Sequence, residues 1–596
     1  MFRIALSLAP VAAGTLVAAQ TPTSIHPLAT TGVGGITLHS SPLGGFIATV
    51  HVEDSIDLDP GPATVWVEPV SGFEEAAIVG YDDNGAYLWH KQMSGTVFLG
   101  VTALSFTEDG QFYLSGTVSG SGDVDPGPGV APVSCNCVDG PPGFESYYRT
   151  GWYGKYTANG DYIWHEQIGG TLNERGHATL TYSPLSHDVF VFGTAMSGGY
   201  PVDFDPNGST AIITPEAVTG GVGYRNANIY ARLDSSGTYQ WFRNFGGGGV
   251  ATRWDNGTDE FFYLTGTSFG SDNTGFIEDH DPGTGIVAPY HPIGTLQDVF
   301  ASKFDANGDL VWCQFFFGGL GTGFLQNEGG SSVVVDANGD AFVAGVFVSN
   351  YPNTPGGSPL SLVPYNGAGS DALLLKLDGD DGSVMWQKHL GSENDDCYSA
   401  ICTVDDAGRV YITSTYHGTA ELNMNSPSVT VTANGPPINN WDGYVACFDG
   451  NGAYQWSGTY GGPENDGLSQ LIMHNDQLCV AGYFRQTADL DLGPGTQNFT
   501  ALAQTDPFFA CYDLSGLALG EAEGLRIAEP FGVYPNPANE LVTLRGIGSN
   551  AQVEVFDALG QRIIAARSNS LDVSAWSEGI YFAKWEDRTQ RLIIQH

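Results

Sequence analysis

Short runs of alternating apolar and polar residues, separated by glycine-containing turns, recur along most of the chain. One version of the run ends in tryptophan, as in YDDNGAYLW (81–89) and FDANGDLVW (304–312). A second version lacks the tryptophan, as in SFTEDGQFYLSGT (105–117) and VVDANGDAFVAGV (334–346). Alternation bounded by Asn-Gly or Asp-Gly predicts antiparallel β-hairpins, because these dipeptides favour the turns that join paired strands.

The tryptophan version returns every 70 to 77 residues. Its tryptophans are Trp89, Trp164, Trp241, Trp312, Trp386 and Trp456, and a degraded seventh copy lies at 512–520. The other hairpin also occurs seven times, so two hairpins per unit give seven four-stranded sheets. A propeller packs such sheets face to face and leaves only short edges. We therefore predict an all-β fold with a seven-bladed β-propeller over residues 33–520, in which the repeated tryptophan fills the gap between blades.

The repeat resembles two known kinds of unit. It is similar to the bacterial β-propeller repeat (SBBP type) of exported proteins, and Asp378, Gly382 and Trp386 resemble the tryptophan-docking motif of quinoprotein propellers. Both resemblances imply blade architecture, and neither fixes an activity. Quinoprotein dehydrogenases typically have eight blades and a vicinal cysteine pair. This chain has seven repeats and no Cys-Cys, which argues against pyrroloquinoline quinone as a cofactor.

The pattern changes after residue 520. Residues 521–530 form a polar linker, and residues 531–596 contain short alternating strands that predict a small Ig-like β-sandwich. Four motifs here resemble the type A sorting domain of type IX secretion: YPNPA (534–538), FDALG (556–560), LDVS (571–574) and GIYF (579–582). The resemblance implies that the type IX secretion machinery is a partner, and that the protein is secreted or held on the outer surface of a Gram-negative bacterium.

The N-terminal residues also predict export. Met1-Phe2-Arg3 gives a positive start, residues 4–17 are apolar, and small residues precede Gln20. This pattern predicts a signal peptide over residues 1–19, cleaved after Ala19. The apolar stretch is shorter than the roughly 20 residues that span a bilayer, so we expect no transmembrane segment. Export permits disulfides, but the eight cysteines do not reveal their pairing.

The net charge of the chain limits the classes of molecule that it can bind. There are 21 Lys and Arg against 65 Asp and Glu, a net charge of −44. Binding of nucleic acid or anionic lipid requires a cationic surface, so both are excluded as partners. Charged residues make up only 14% of the chain and aromatic residues 12%, so the acidity does not indicate disorder.

An Asp-x-Asp motif recurs in phase with the repeat. It occurs at Asp57 and Asp59, Asp123 and Asp125, Asp203 and Asp205, Asp279 and Asp281, and Asp489 and Asp491. Alternate carboxylates on an extended segment point the same way and could bind Ca²⁺. Asp203, Asp205 and Asn207 match the first half of an EF-hand loop, although Thr214 stands where that loop has its glutamate. The alternative interpretation is that each aspartate caps backbone N–H groups of a turn, and we favour it.

No hydrolase, nucleotide-binding or zinc motif stands out, and no catalytic residue can be named. The sequence therefore predicts a secreted or cell-surface binding or adhesion protein for a glycan or a protein. An extracellular propeller enzyme, either a hydrolase or quinoprotein-like, is the alternative. No cofactor is predicted apart from the candidate Ca²⁺.

Overall fold

The computed structural model of the 596-residue chain divides into two compact units, Met1–Ala518 and Leu519–His596. It describes residues 22–32, 34–135, 149–170, 177–195, 202–203, 212–213, 227–268, 279–283, 286–288, 298–316, 329–347, 370–392, 399–423, 428–434, 441–493, 495–514, 532–534, 538–539, 541–545, 552–557, 560–567, 570–585 and 588–595. All regular elements in these ranges are β-strands, so the all-β prediction is confirmed. The described part of the chain holds no helix with the length and apolarity needed to cross a membrane.

The described residues of the first unit form 39 strands. In chain order these are β1 (Pro22–Pro27), β2 (Gly34–Ser40), β3 (Phe46–Val52), β4 (Ile56–Asp57), β5 (Trp66–Val67), β6 (Glu75–Tyr81), β7 (Tyr87–Gly95), β8 (Phe98–Phe106), β9 (Phe112–Ser119), β10 (Ser121–Asp123), β11 (Pro132–Ser134), β12 (Thr150–Tyr156), β13 (Tyr162–Gln167), β14 (Gly169–Gly170), β15 (His177–Tyr182), β16 (Val189–Ala195), β17 (Val202–Asp203), β18 (Ile212–Ile213), β19 (Ala227–Leu233), β20 (Tyr239–Phe245), β21 (Gly248–Asp255), β22 (Glu260–Ser268), β23 (Asp298–Asp305), β24 (Leu310–Phe316), β25 (Gly329–Val335), β26 (Ala341–Phe347), β27 (Asp371–Leu377), β28 (Val384–Ser392), β29 (Ile401–Val404), β30 (Val410–Tyr416), β31 (Thr419–Glu421), β32 (Thr430–Thr432), β33 (Asp442–Phe448), β34 (Tyr454–Tyr460), β35 (Gly467–His474), β36 (Gln477–Phe484), β37 (Thr487–Asp489), β38 (Asn498–Thr500) and β39 (Asp506–Asp513).

Twenty-eight of these strands form seven antiparallel groups of four. We number the groups as sheets one to seven: β2-β3-β6-β7, β8-β9-β12-β13, β15-β16-β19-β20, β21-β22-β23-β24, β25-β26-β27-β28, β29-β30-β33-β34 and β35-β36-β39-β1. In each of sheets one to six the four strands follow one another along the chain. Both hairpins predicted from sequence are therefore present in sheets one to six, and a further short hairpin extends sheets one and five.

The two inner strands of the sheets are the most deeply buried. β27 and β33 are buried at every residue, which explains their unbroken apolar sequences such as Leu373-Leu374-Leu375. A strand covered on both faces carries apolar side chains on both faces. The buried clusters lie between consecutive sheets, and one more joins sheet one to sheet seven through residues such as Val50 and Phe509. Truncating a core leucine such as Leu373 to alanine costs about 2–5 kcal/mol.

The outer strand of sheet seven comes from the other end of the first unit. β1 pairs antiparallel with β39, with Ile25 opposite Ala510 and His26 opposite Phe509. The sequence analysis placed a degraded seventh copy of the tryptophan hairpin at 512–520 and began the repeat region at residue 33, so β1 was not foreseen. Residues 515–520 of the degraded seventh copy lie outside the described residues. Within the sheet, a disulfide joins Cys479 of β36 to Cys511 of β39.

The repeated tryptophans pack between sheets. Trp89, Trp164, Trp241, Trp312 and Trp386 each lie against a glycine in the turn before the fourth strand of the following sheet, namely Gly160, Gly237, Gly308, Gly382 and Gly452. A Cβ on any of these glycines would collide with the indole. Two indoles also donate a hydrogen bond across the junction, from Trp312 to the Gly379 carbonyl (3.2 Å) and from Trp386 to the Gly450 carbonyl (3.0 Å). The predicted role of the tryptophan is thus seen at these five junctions.

The second unit has two small sheets. Its strands are β40 (Gly532–Tyr534), β41 (Leu541–Arg545), β42 (Gln552–Asp557), β43 (Arg562–Arg567), β44 (Ser570–Asp572), β45 (Gly579–Trp585) and β46 (Arg588–Ile594), in the orders β40-β41-β44 and β43-β42-β45-β46. A buried cluster that includes Val542, Val555, Leu571 and Leu592 fills the space between the two sheets.

Candidate functional site

The long connections of the first unit gather at one end of the sheets. Because consecutive strands are antiparallel, the link from the second to the third strand and the link to the next sheet leave a sheet at the same end. The opposite end has tight turns, such as Asp82 to Gly85 and Asp405 to Gly408, each closed by a backbone hydrogen bond of 2.9 Å. Long loops held by a rigid scaffold are where binding and catalytic residues concentrate.

The Asp-x-Asp motifs lie in these long connections and cap backbone N–H groups. In the first copy, Asp57 Oδ1 accepts hydrogen bonds from the amides of Asp59 (3.2 Å) and Val65 (2.7 Å). Asp59 Oδ1 accepts one from the Gly61 amide at 2.8 Å. The copies at Asp123, Asp279 and Asp489 repeat all three bonds. The middle residue of each of these four copies is fully buried.

Each motif also joins its own sheet to the preceding sheet. Asp123 pairs with Ser94 at the end of β7, and Asp489 exchanges two backbone bonds of 3.0 Å with Gly461 after β34. The same connection is made by Asp203 with Gly169, by Asp279 with Gly246, and in sheet six by Glu421 with Gly391. In sheet one the Asp57 amide donates to the Ala29 carbonyl at 2.8 Å. The motif therefore connects neighbouring sheets at the end opposite the tryptophan contacts.

The predicted calcium ligands are thus distributed over several sheets. Asp203 lies in β17, whereas Asp205 and Asn207 lie outside the described residues. Within the described ranges, no group of three or more His, Cys, Asp or Glu side chains is arranged to hold a metal ion. The capping bonds occupy one oxygen of each aspartate in the four described copies. Calcium binding at the motif stays a prediction.

A second set of acids was missed in the sequence. Five third strands begin with a buried carboxylate: Glu75, Asp298, Asp371, Asp442 and Asp506. The sequence pattern that could have revealed them is an acid directly before an apolar strand, as in DALLLKL (371–377). This pattern recurs with the repeat. Glu75 shows what this position does, because its carboxylate accepts the amides of Val70 (3.0 Å) and Ser71 (3.1 Å) and so holds the preceding loop.

Asp442 at the start of β33 in sheet six and Asp466 directly before β35 in sheet seven are two buried carboxyl groups close enough for their charges to interact. Asp442 Oδ2 accepts the Asn434 amide, and the two oxygens of Asp466 accept the amides of Arg485 and Gly462, each at 2.7 Å. Burial raises the pKa of Asp442 to about 6. Burial, together with the charge of Asp442, raises the pKa of Asp466 to about 7. Both carboxyl groups therefore titrate closer to neutral pH than an ordinary aspartate does.

A Ser-His-Asp arrangement occurs at the turn end, between sheets one and seven. His474 Nδ1 lies 2.9 Å from Ser40 Oγ, and His474 Nε2 lies 3.0 Å from Asp83 Oδ1. In a hydrolytic triad the aspartate is buried behind the histidine. Here the Asp83 side chain is 59% exposed and the His474 side chain only 2%. The arrangement therefore links the two sheets and does not present a nucleophile.

Comparison with known proteins identifies the C-terminal domain. A family model for the secretion system C-terminal sorting domain matches residues 532–595. The chain thus carries a type IX secretion sorting domain, which marks a secreted or cell-surface protein of Bacteroidetes-type bacteria and implies contact with the type IX secretion machinery. Among curated proteins, none matches the chain.

Several solved structures are similar at low identity. An acylaminoacyl peptidase is 9% identical over 78% of this chain and 58% of that chain, with a TM-score of 0.29. PorZ, a surface component of the type-IX secretion system of Porphyromonas gingivalis, is 10% identical over 97% of this chain and 100% of that chain, with a TM-score of 0.16. NanB sialidase from Streptococcus pneumoniae is 6% identical over 83% and 95%, with a TM-score of 0.23. Scores this low establish neither a shared fold nor a shared activity.

Proposed function

We propose that this chain is a secreted or cell-surface seven-bladed β-propeller that binds a glycan or a protein and is exported by type IX secretion. Seven four-stranded sheets, an apolar cluster between sheets one and seven, and the β1–β39 pairing support the propeller. The propeller then extends from β1 through β39, followed by a linker and the sorting domain. In this proposal the signal peptide carries the chain across the inner membrane.

The observation that carries the binding proposal is the one-sided distribution of the long connections. Buried acids such as Glu75 and Asp506 fix their loops through backbone amides, and the Asp motifs join each loop to the preceding sheet. Preorganised loops lose less entropy on binding. Large side chains are exposed in them, including Trp66 at 43% and Phe73 at 50%. Aromatic side chains on a fixed loop are suited to contact sugar rings or protein surfaces.

A hydrolase is the second candidate, and the Asp442–Asp466 pair is the observation that favours it. A carboxyl group that keeps its proton near neutral pH can act as a general acid. Screening of glycoside and peptide substrates tests this candidate. Turnover that is lost in Asp466→Ala and retained in Trp66→Ala would favour the enzyme over the binding protein.

Glycan and protein arrays probed with the purified full-length chain test the binding proposal. We expect saturable binding to a defined ligand class that weakens when Trp66 and Phe73 are changed to alanine. Leu88→Ala is the matched control, since Leu88 is a 58% exposed side chain on the outer strand β7, outside the long connections. Binding lost equally in all three variants, or binding to no array member, would contradict the proposal.

Export is tested by deleting residues 532–596 in the native host. The shortened chain should accumulate in the periplasm as a folded protein, because the two units have separate cores. Normal amounts of the shortened chain at the cell surface or in the medium would contradict the export route.

A further inference from the structure

The sorting domain completes its core with one face of its larger sheet. Val553, Val555, Tyr581, Ala583 and Leu592 are at most 8% exposed and belong to the cluster shared with the smaller sheet. Side chains alternate between faces along a strand, so the neighbours of these residues lie on the opposite, outer face. The core of the sorting domain therefore does not require apolar residues on the outer face of the larger sheet.

The outer face is nevertheless apolar. Phe582 and Phe556 lie opposite each other on adjacent strands, and Ile580 lies opposite Ile593. Ile580 is 45% exposed and Phe582 37%, while Ile563 of the edge strand β43 is 44% exposed. Phe556 and Ile593 are half-buried. Sheets with one solvated face normally carry polar residues there, and a contiguous exposed apolar patch marks an interaction site.

Cationic side chains flank these apolar residues. Arg591 lies opposite Phe582, Arg562 lies opposite Phe556, and Lys584 lies two residues beyond Phe582 on the same face. Among the described residues of these rows the one acid is Glu554, which lies 2.7 Å from Arg562. The described side chains of this face thus include three cations against one acid, on a chain of net charge −44. Residues 532–595 carry six Lys and Arg against seven Asp and Glu, so the remaining chain holds nearly all of the negative charge.

We propose that this outer face, formed by Phe556, Ile580, Phe582 and Ile593 with Lys584 and Arg591 beside them, is the surface with which the sorting domain binds the export machinery. The partner surface carries apolar side chains edged by carboxylates, which is the chemistry complementary to this face. Such a face also distinguishes the sorting domain from the acidic cargo that precedes it. The proposal rests on the proposed export function.

The test uses the full-length chain in its native host, with surface, medium and periplasmic fractions measured by immunoblot. Ile580→Ser/Phe582→Ser should lower the exported fraction about tenfold, because losing two apolar contacts of this size costs at least one power of ten in binding. Leu541→Ser is the matched control, since Leu541 is a 54% exposed side chain on β41 of the smaller sheet. The control should export within about twofold of wild type.

A charge variant keeps the proposal testable if the serine variant misfolds. Lys584→Glu/Arg591→Glu changes exposed side chains only and should also reduce export, with the melting temperature of the purified chain unchanged. Normal export of both double variants, while deletion of residues 532–596 abolishes export, overturns the proposed face and leaves the export function standing. Export of the deleted chain overturns the export function itself. Loss of self-association with normal export would assign the face to a second copy of the chain, and would also overturn the proposal.

Discussion

The imidazole of His26 lies against Gly85, where at five other junctions a tryptophan lies against a glycine. His26 belongs to β1 and Gly85 to the turn before β7, so the contact joins sheet seven to sheet one. The His26 ring also stacks on Phe509 with the ring centroids 4.7 Å apart. β1 thus gives sheet seven the strand pairing and the contact with the next sheet that the fourth strand gives in the other sheets.

Adding a methyl group at Gly85 tests this junction. Gly85 has φ of 78° and no space for a Cβ beside His26, whereas Gly408 has φ of 75°, the same turn bond and open space. We expect Gly408→Ala to lower the free energy of unfolding by about 1 kcal/mol through backbone strain, and Gly85→Ala by about 1–3 kcal/mol more through overpacking. Urea denaturation measures both. Equal losses would show that the His26–Gly85 contact does not constrain the junction.

The Asp-x-Asp motif is tested at Asp123. If the aspartate acts as a cap, Asp123→Asn keeps the acceptor oxygen and should cost little, whereas Asp123→Ala loses two hydrogen bonds and should cost about 1–3 kcal/mol. If Ca²⁺ binds, Asn and Ala should be similarly harmful, and chelation should lower the melting temperature of the wild type. Thermal melting with and without chelator separates the two interpretations. A large chelator effect that disappears in Asp123→Asn would contradict the capping interpretation.

The Asp442–Asp466 pair predicts a stability that falls as the pH rises. Burial raises the pKa of Asp442 from 3.8 to about 6, so folding favours its protonated form. The stabilisation is complete below about pH 4, where the carboxyl group is protonated in both the folded and the unfolded chain. It is lost as the pH rises through 6, because the unfolded chain ionises the group in water whereas the folded chain can do so only at a buried position.

Asp442→Asn should remove about 2–3 kcal/mol of that pH dependence, since the amide stays neutral and keeps the acceptor for the Asn434 amide. Denaturation curves at pH 4, 6 and 8 measure the slope. A slope unaltered in Asp442→Asn would contradict the raised pKa.

The disulfide in sheet seven should add to the stability of that sheet. Cys479 and Cys511 are 32 residues apart, and a crosslink of that span contributes about 3–4 kcal/mol by restricting the unfolded chain. Cys479→Ala/Cys511→Ala should therefore melt at a lower temperature than oxidised wild type. Reductant should lower its melting temperature by less than it lowers that of wild type, although Cys135 is disulfide-bonded as well. Differential scanning calorimetry with and without dithiothreitol measures this. A reductant response as large in the variant as in wild type would place the sensitive disulfide elsewhere.

The sequence predicted the features that depend on local pattern. Alternation and turn dipeptides predicted the hairpins, and the recurrence of Trp89 and its equivalents predicted their packing between sheets. Both depend on residues close in sequence. The sorting domain was recognised because its motifs occur in order over one short segment.

The features that depend on distant residues were not predicted. The segment Pro22–Pro27 carries two prolines and no clear alternation, and only its partner β39 makes it a strand. The Cys479–Cys511 pairing likewise depends on which strands are neighbours. The buried acids, such as Glu75, were missed because a carboxylate before an apolar run usually indicates a solvent-exposed position. Here its burial is balanced by backbone amides several residues away.

The pairing of β1 with β39 has a kinetic consequence. Thr23 bonds the Cys511 carbonyl across 488 residues, so the strand that emerges first on synthesis waits for nearly the last residue of the unit. Loop closure over such a span is entropically slow, and contacts of this separation delay folding. Sheets one to six can assemble in order of emergence, whereas sheet seven can be completed only when translocation of the unit is over. Until then β1 lacks its partner strand and is open to pairing with other chains, which makes it the point at which holdase chaperones would protect the precursor.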